Sequence, residues 1–269
     1  MRIFCSWNVD DMEMSARESS RAWWIVVAWL VTMTSGALVA SLLRLSTGIP
    51  IDASLLFLAH GVIAVAMASA VIGHLVRAHA TARFLPALVV TATFVCGFFA
   101  IRSFEPLTST AHAALAAYAA LALASTGTPG LGGIPPIDGR RGRRWRVWVV
   151  GVGVLLLVLQ IALGALLRHH LIGYGWHLFV AGLATLAVLI PGVAICRDAG
   201  AATVEKRAAW SAMISLLVQL LLGVVLFLMI LVGSKNVSAW LLTTVAHVIA
   251  GTITLLAAAR LAQILRTGR

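Results

Sequence analysis

The sequence predicts an all-α polytopic membrane protein, with eight transmembrane helices arranged as two pseudo-symmetric four-helix bundles. Three observations carry that expectation. Of 269 residues, 61% are hydrophobic and 11% charged, with a mean hydropathy of +1.00; a soluble globule that apolar would keep too little polar surface to stay dispersed. The apolar runs are continuous and reach about 20 residues, enough for a helix to cross about 30 Å of hydrocarbon, and they lack the alternation of barrel strands. The stretch STGTPGLGGIPPIDGRRGRRWR (125–146) is rich in Gly, Pro and Arg and divides the runs into two sets of four, as an internal duplication would.

Taken in order, residues 1–21 form a charged tail (Asp10, Asp11, Glu13, Arg17, Glu18, Arg21). It lacks the basic start and short apolar core of a signal peptide, so the first run is expected to be retained. Spans are expected near 22–43, 54–76, 84–101 and 107–125, forming an amino-terminal bundle over 22–125. A linker over 126–145 follows. Spans near 146–167, 174–195, 208–233 and 238–260 form a carboxy-terminal bundle over 146–262, and residues 263–269 are a tail. The three cysteines, Cys5, Cys96 and Cys196, are far apart and suggest neither a CxxC site nor a disulfide.

Charge orients these spans. Sixteen of the 20 Lys and Arg residues lie in the two tails and in alternate loops, including Arg77, Arg83, Arg140, Arg141, Arg197 and Lys206. The opposite loops hold Arg44, Arg102, Arg168 and Lys235. The positive-inside rule puts both termini in the cytoplasm, and the compact loops suggest a bacterial cell (inner) membrane. The formal net charge of +11 is then a signal of topology and of contact with lipid headgroups, not of nucleic-acid binding.

The odd spans repeat a polar residue four before a glycine: Thr32 and Gly36, Thr93 and Gly97, Gln160 and Gly164, Gln219 and Gly223. That spacing puts both residues on one helix face, where the glycine admits a neighbouring helix or a flat ligand. Each even span carries a histidine towards its outer end: His60, His112, His177 and His247. Because odd spans run outwards and even spans inwards, the four imidazoles reach one level in the outer half of the bilayer. A small residue follows each by one turn, Ala64, Ala116, Ala181 and Gly251, leaving room for a planar macrocycle.

Buried histidines could be packing glue between helices. Proton relay is less well served, because all nine acids lie in loops or tails and relays usually recruit carboxylates. Zinc is disfavoured because no HxxxH or HxxE spacing gathers ligands on one helix. Haem fits the pattern best: two imidazoles from facing helices can ligate one iron while the apolar bundle holds the porphyrin. The expected pairs are His60 with His112, and His177 with His247. Arg168 follows Gln160 by eight residues, at the outer interface, where it would either meet a haem propionate or snorkel as an anchor. His169 and His170 are expected in a solvated outer loop, within reach of propionate or substrate. His74 and His79 are expected at the cytoplasmic interface.

These features resemble the haem A synthase family. The likeness lies in QIALGALLRHHLIGYG (160–175), QLLLG (219–223), and the histidine segments WHLFVAG and VAHVIAG. The resemblance covers nearly the whole chain in architecture. It implies haem b as cofactor, held by His177 and His247 with Gln160, Gly164, Arg168, Gln219, Gly223 and Gly251 around it. It implies haem O as substrate near the catalytic histidines His60 and His112, with the C8 methyl of haem O oxidised to a formyl group. A haem O synthase, terminal-oxidase assembly factors and a second copy of the chain are the implied protein partners.

The sequence also departs from that family. The family's Glu three residues before the first histidine is Phe57 here, and the Arg directly after that histidine is Gly61. The Gln of the odd helices is replaced by Thr32 and Thr93 in the amino-terminal half, and the outer loops carry no paired cysteines. Asp52 and Glu105 stand in outer loops near His60 and His112, as substitutes for the missing acid or as ordinary solvated residues. Two further readings follow: a non-catalytic membrane cytochrome b or oxidase-assembly protein, and a transporter or structural bundle without haem.

Overall fold

A computed structural model of the protein describes residues 141–168 and 170–267, together with 60, 62–64, 92–93, 112 and 115–116. The other amino-terminal expectations, from the spans themselves to Thr32, Phe57, Gly61, His74 and His79, lie outside the described residues, as does His169. The described residues form helices and short connections, with no strand among them.

Four helices cover the carboxy-terminal half: α1 (Arg141–Arg168), α2 (Tyr174–Arg197), α3 (Thr203–Leu231) and α4 (Val237–Thr267). All four are long and apolar enough to cross a membrane. They match the expected spans; α1, α2 and α4 overrun them, while α3 starts earlier than expected and ends two residues short. Helix α1 takes in the last residues of the expected linker, and α4 runs through most of the expected tail. The reason is physical: the sequence reading stopped each span at its charges, whereas Arg and Lys are good helix formers and continue a helix beyond the hydrocarbon.

The connections explain why the helices stop. Helix α1 ends in a Schellman turn. Leu171 N–H donates to Leu166 O and His170 N–H to Leu167 O, each at 3.0 Å, and His170 takes the left-handed φ of 59°. Helix α3 ends the same way, with Ser234 N–H on Met229 O at 3.0 Å, and there Gly233 holds the φ of 62°. Glycine suits that conformation; histidine enters it at a cost of about 1 kcal/mol. Asn236 starts α4, its Oδ1 accepting from Ala239 N–H at 3.0 Å. Between α2 and α3, Asp198 takes a 2.9 Å hydrogen bond from Arg146 Nη1, tying the turn to α1.

The helices pack in a ring, α1 on α2, α2 on α3, α3 on α4 and α4 on α1. Thus α2 stands diagonally opposite α4. Trp148 and Trp210, near the basic ends of α1 and α3, are exposed, as are Tyr174 and Trp176 at the opposite end. Indole and phenol rings at both levels are what two membrane–water interfaces select.

Packing is uneven along the bundle. The core is built from Val150 and Leu157 of α1, Val188 and Ile195 of α2, Ala209 and Ala212 of α3, and Leu255 and Leu261 of α4. All of these but Leu157, near the middle of α1, lie towards the basic end. Small residues there let α3 approach its neighbours closely. At the other end, none of the described residues in 158–168, 174–179, 217–231 and 237–249 is fully buried. Each stretch includes a face turned to neighbouring helices, so the bundle closes at one end and is loosely filled at the other. The histidines lie at the loose end.

Candidate haem site

Helix α1 presents Gln160 and Gly164 to His177 of α2. The Gln160 amide nitrogen donates to His177 Nε2 at 2.9 Å. One turn further on, Gly164 lies flush against the same ring: a Cβ there would stand 3.3 Å from His177 Cε1. Helices α3 and α4 repeat the arrangement. The Gln219 amide nitrogen donates to His247 Nε2 at 3.3 Å, and a Cβ on Gly223 would stand 3.2 Å from His247 Cε1. The i, i+4 spacing read from the sequence therefore clasps an imidazole between an amide and a bare backbone, twice.

The space at these glycines is used differently from the sequence expectation. At Gly164 and Gly223 it admits the imidazole itself. At Gly251 it admits Gln219, whose Nε2 lies 2.9 Å from where a Cβ would be. Gly251 thus seats the glutamine and leaves no gap for a macrocycle at that point.

The hydrogen bonds define the tautomer. An amide nitrogen only donates, so Nε2 of each histidine accepts with its lone pair and the ring proton sits on Nδ1. His112 reaches the same state by another route, its Nδ1–H donating to the Thr93 carbonyl at 2.8 Å. In all three rings the lone pair is on Nε2, a nitrogen through which histidine can ligate a metal, but only His112 turns its Nδ1–H to a protein acceptor.

The carboxy-terminal site is also incompletely satisfied. Nδ1 of His177 and His247, and Oε1 of Gln160 and Gln219, are buried with no hydrogen-bond partner. Each such group costs about 1–3 kcal/mol, and no bulk water is at hand in a bilayer to relieve it. Four polar atoms without a hydrogen-bond partner thus lie at one level of the bundle.

Three of the sequence-predicted residues are brought together electrostatically: His247 lies within range of both His177 and Arg168. Arg168 occupies the last turn of α1, where a cation also complements the helix dipole. In the amino-terminal half, His60 lies within range of His112. His60 and His112 are both helical and half-buried. His170 is exposed.

Adjacent packed helices stand about 8–10 Å apart, so the diagonal of a four-helix square is about 11–14 Å. Two histidines on diagonal helices can reach a shared centre across that span, whereas neighbours would crowd it. Among the described residues no three His, Cys, Asp or Glu side chains gather in a metal-binding group. Two imidazoles brought to one centre would suit an iron whose other ligands come from a porphyrin. The donor set, its tautomer and its unpaired atoms fit haem.

Sequence reasoning picked out Gln160, Gln219 and the glycines as a helix face, but not the hydrogen bonds joining them to the histidines. It also missed the Thr93 carbonyl and the left-handed His170. Partner choice between helices leaves no trace in spacing along one helix. No protein-family model, curated protein or solved structure matches the chain.

Proposed function

We propose that the chain is a haem A synthase-like membrane oxidoreductase with eight spans in two four-helix halves and both termini in the cytoplasm. The carboxy-terminal half holds haem b between His177 and His247, and the amino-terminal half presents haem O near His60 and His112. The observation that carries this reading is the repeated clasp, Gln160–His177–Gly164 and Gln219–His247–Gly223, at the loosely packed end of the bundle. Haem b, when bound, supplies a redox iron that relays electrons. His177 and His247 bind it, Gly164 and Gly223 fix the ring orientations, and Arg168 pairs with a propionate at the outer surface. The apolar residues of α1 to α4 exclude water from the site.

Expression in a host that makes haem O, followed by analysis of extracted haems, tests the activity. The expected products are haem A and the corresponding alcohol intermediate. Good expression with neither product rules the activity out. A second reading, a non-catalytic membrane cytochrome b, is favoured by Phe57 and Gly61 where the family carries Glu and Arg. It predicts a haem b spectrum with no conversion of haem O.

A further inference from the structure

We propose that Gln160 and Gln219 are displaceable caps: each amide occupies the ligating nitrogen of its histidine and must swing away before iron binds. The inference rests on the haem reading above and adds a loading step to it. An iron and an amide N–H compete for one lone pair, and Nε2 of His177 and of His247 each has a glutamine on it. His112 differs. Its partner, the Thr93 carbonyl, sits on Nδ1, orients the ring and does not compete for Nε2.

The caps are suited to leave. Each glutamine is a flexible side chain with its Oε1 buried and unpaired, so the amide is only half satisfied where it stands. One hydrogen bond is lost when it moves, and a coordination bond replaces it. Before loading, the cap holds a neutral imidazole in the Nδ1–H form with Nε2 on the glutamine of the neighbouring helix. A histidine without this partner would have to bury a second unpaired atom. The two caps are unequal, at 2.9 Å on His177 and 3.3 Å on His247. The longer contact makes the Gln219 cap the weaker of the two.

The test is stopped-flow capture of haemin by full-length protein purified in detergent from a haem-deficient host. Gln160→Leu should capture haemin about five- to tenfold faster than wild type, reflecting one hydrogen bond no longer broken. Gln219→Leu should give a smaller acceleration. The final low-spin spectrum should be unchanged in both. Gly251→Ala keeps Gln219 but places a methyl 2.9 Å from its amide nitrogen, and should behave like Gln219→Leu. Helical circular dichroism and gel filtration establish that each variant is folded. If Gln160→Leu misfolds, Gly251→Ala alone decides the matter. Slower capture, weaker binding or wild-type rates in the folded variants would overturn the cap. Wild-type protein that takes up no haemin refutes the haem reading itself, and the cap with it.

Discussion

Replacing His177 or His247 with alanine should strip the carboxy-terminal bundle of its haem, lowering affinity by at least about 100-fold. Loss of residues that merely orient a metal ligand already costs about 10–100-fold, and each of these changes removes a ligand outright. The two variants should fail alike, because a bis-imidazole site on diagonal helices needs both arms. Neither change should unfold the protein. The core of Val150, Val188, Ile195, Leu255 and Leu261 lies at the other end of the bundle, so its packing is untouched. His60→Ala, in the other half, should leave this haem in place. Titration of the purified variants with haemin, followed in the Soret band, checks all three outcomes.

The second large effect is steric. Gly164→Val and Gly223→Val should each dislodge an imidazole. A Cβ alone would stand 3.3 Å and 3.2 Å from the respective Cε1 atoms, and the γ-methyls of valine need the volume the ring now fills. Overpacking of this kind costs about 1–3 kcal/mol. Here it should appear as a loss of haem affinity of about 5- to 100-fold, at 1.4 kcal/mol per decade. Gly151→Val and Gly182→Val are the controls. Both positions are helical with open space where the side chain would go, so they should bind haem as wild type does. Equal losses at all four positions would trace the effect to helix propensity and not to the clasp.

Much of the fold was legible because the bilayer imposes one rule on every span. Long apolar runs must be helices, and α1 to α4 lie where hydropathy put them. Their ends were not legible to the residue. Arg143 and Arg144, expected in the linker ahead of the span, lie inside α1, and α4 carries Arg260 and Arg266 within its last turns. The i, i+4 pairing of Gln with Gly was visible as a face. What that face holds was not, since the identity of the neighbour is a property of the ring order α1–α2–α3–α4. The same limit hid the Arg146–Asp198 tie, which joins residues 52 apart. His170 shows the converse: nothing in its sequence neighbourhood announces a left-handed cap, and the position that carries Gly233 in the matching turn carries a histidine here.

The division of labour between glycine and glutamine follows from the depth of the site. In water, an imidazole needs no partner to keep its orientation cheaply. Inside hydrocarbon an unmet polar atom is costly, and with Nδ1 of His177 and His247 already unpaired a neighbour has to meet Nε2. An amide on a neighbouring helix does so without a permanent charge, and a glycine one turn away sets the ring angle without adding bulk.

Electron paramagnetic resonance of the oxidised, haem-loaded full-length protein tests most directly whether His177 and His247 share one iron. A low-spin ferric signal of bis-imidazole type, lost in His177→Ala and in His247→Ala, is the expected result. A high-spin signal in the wild type, or a low-spin signal that survives either substitution, would show that these two histidines do not hold the iron between them.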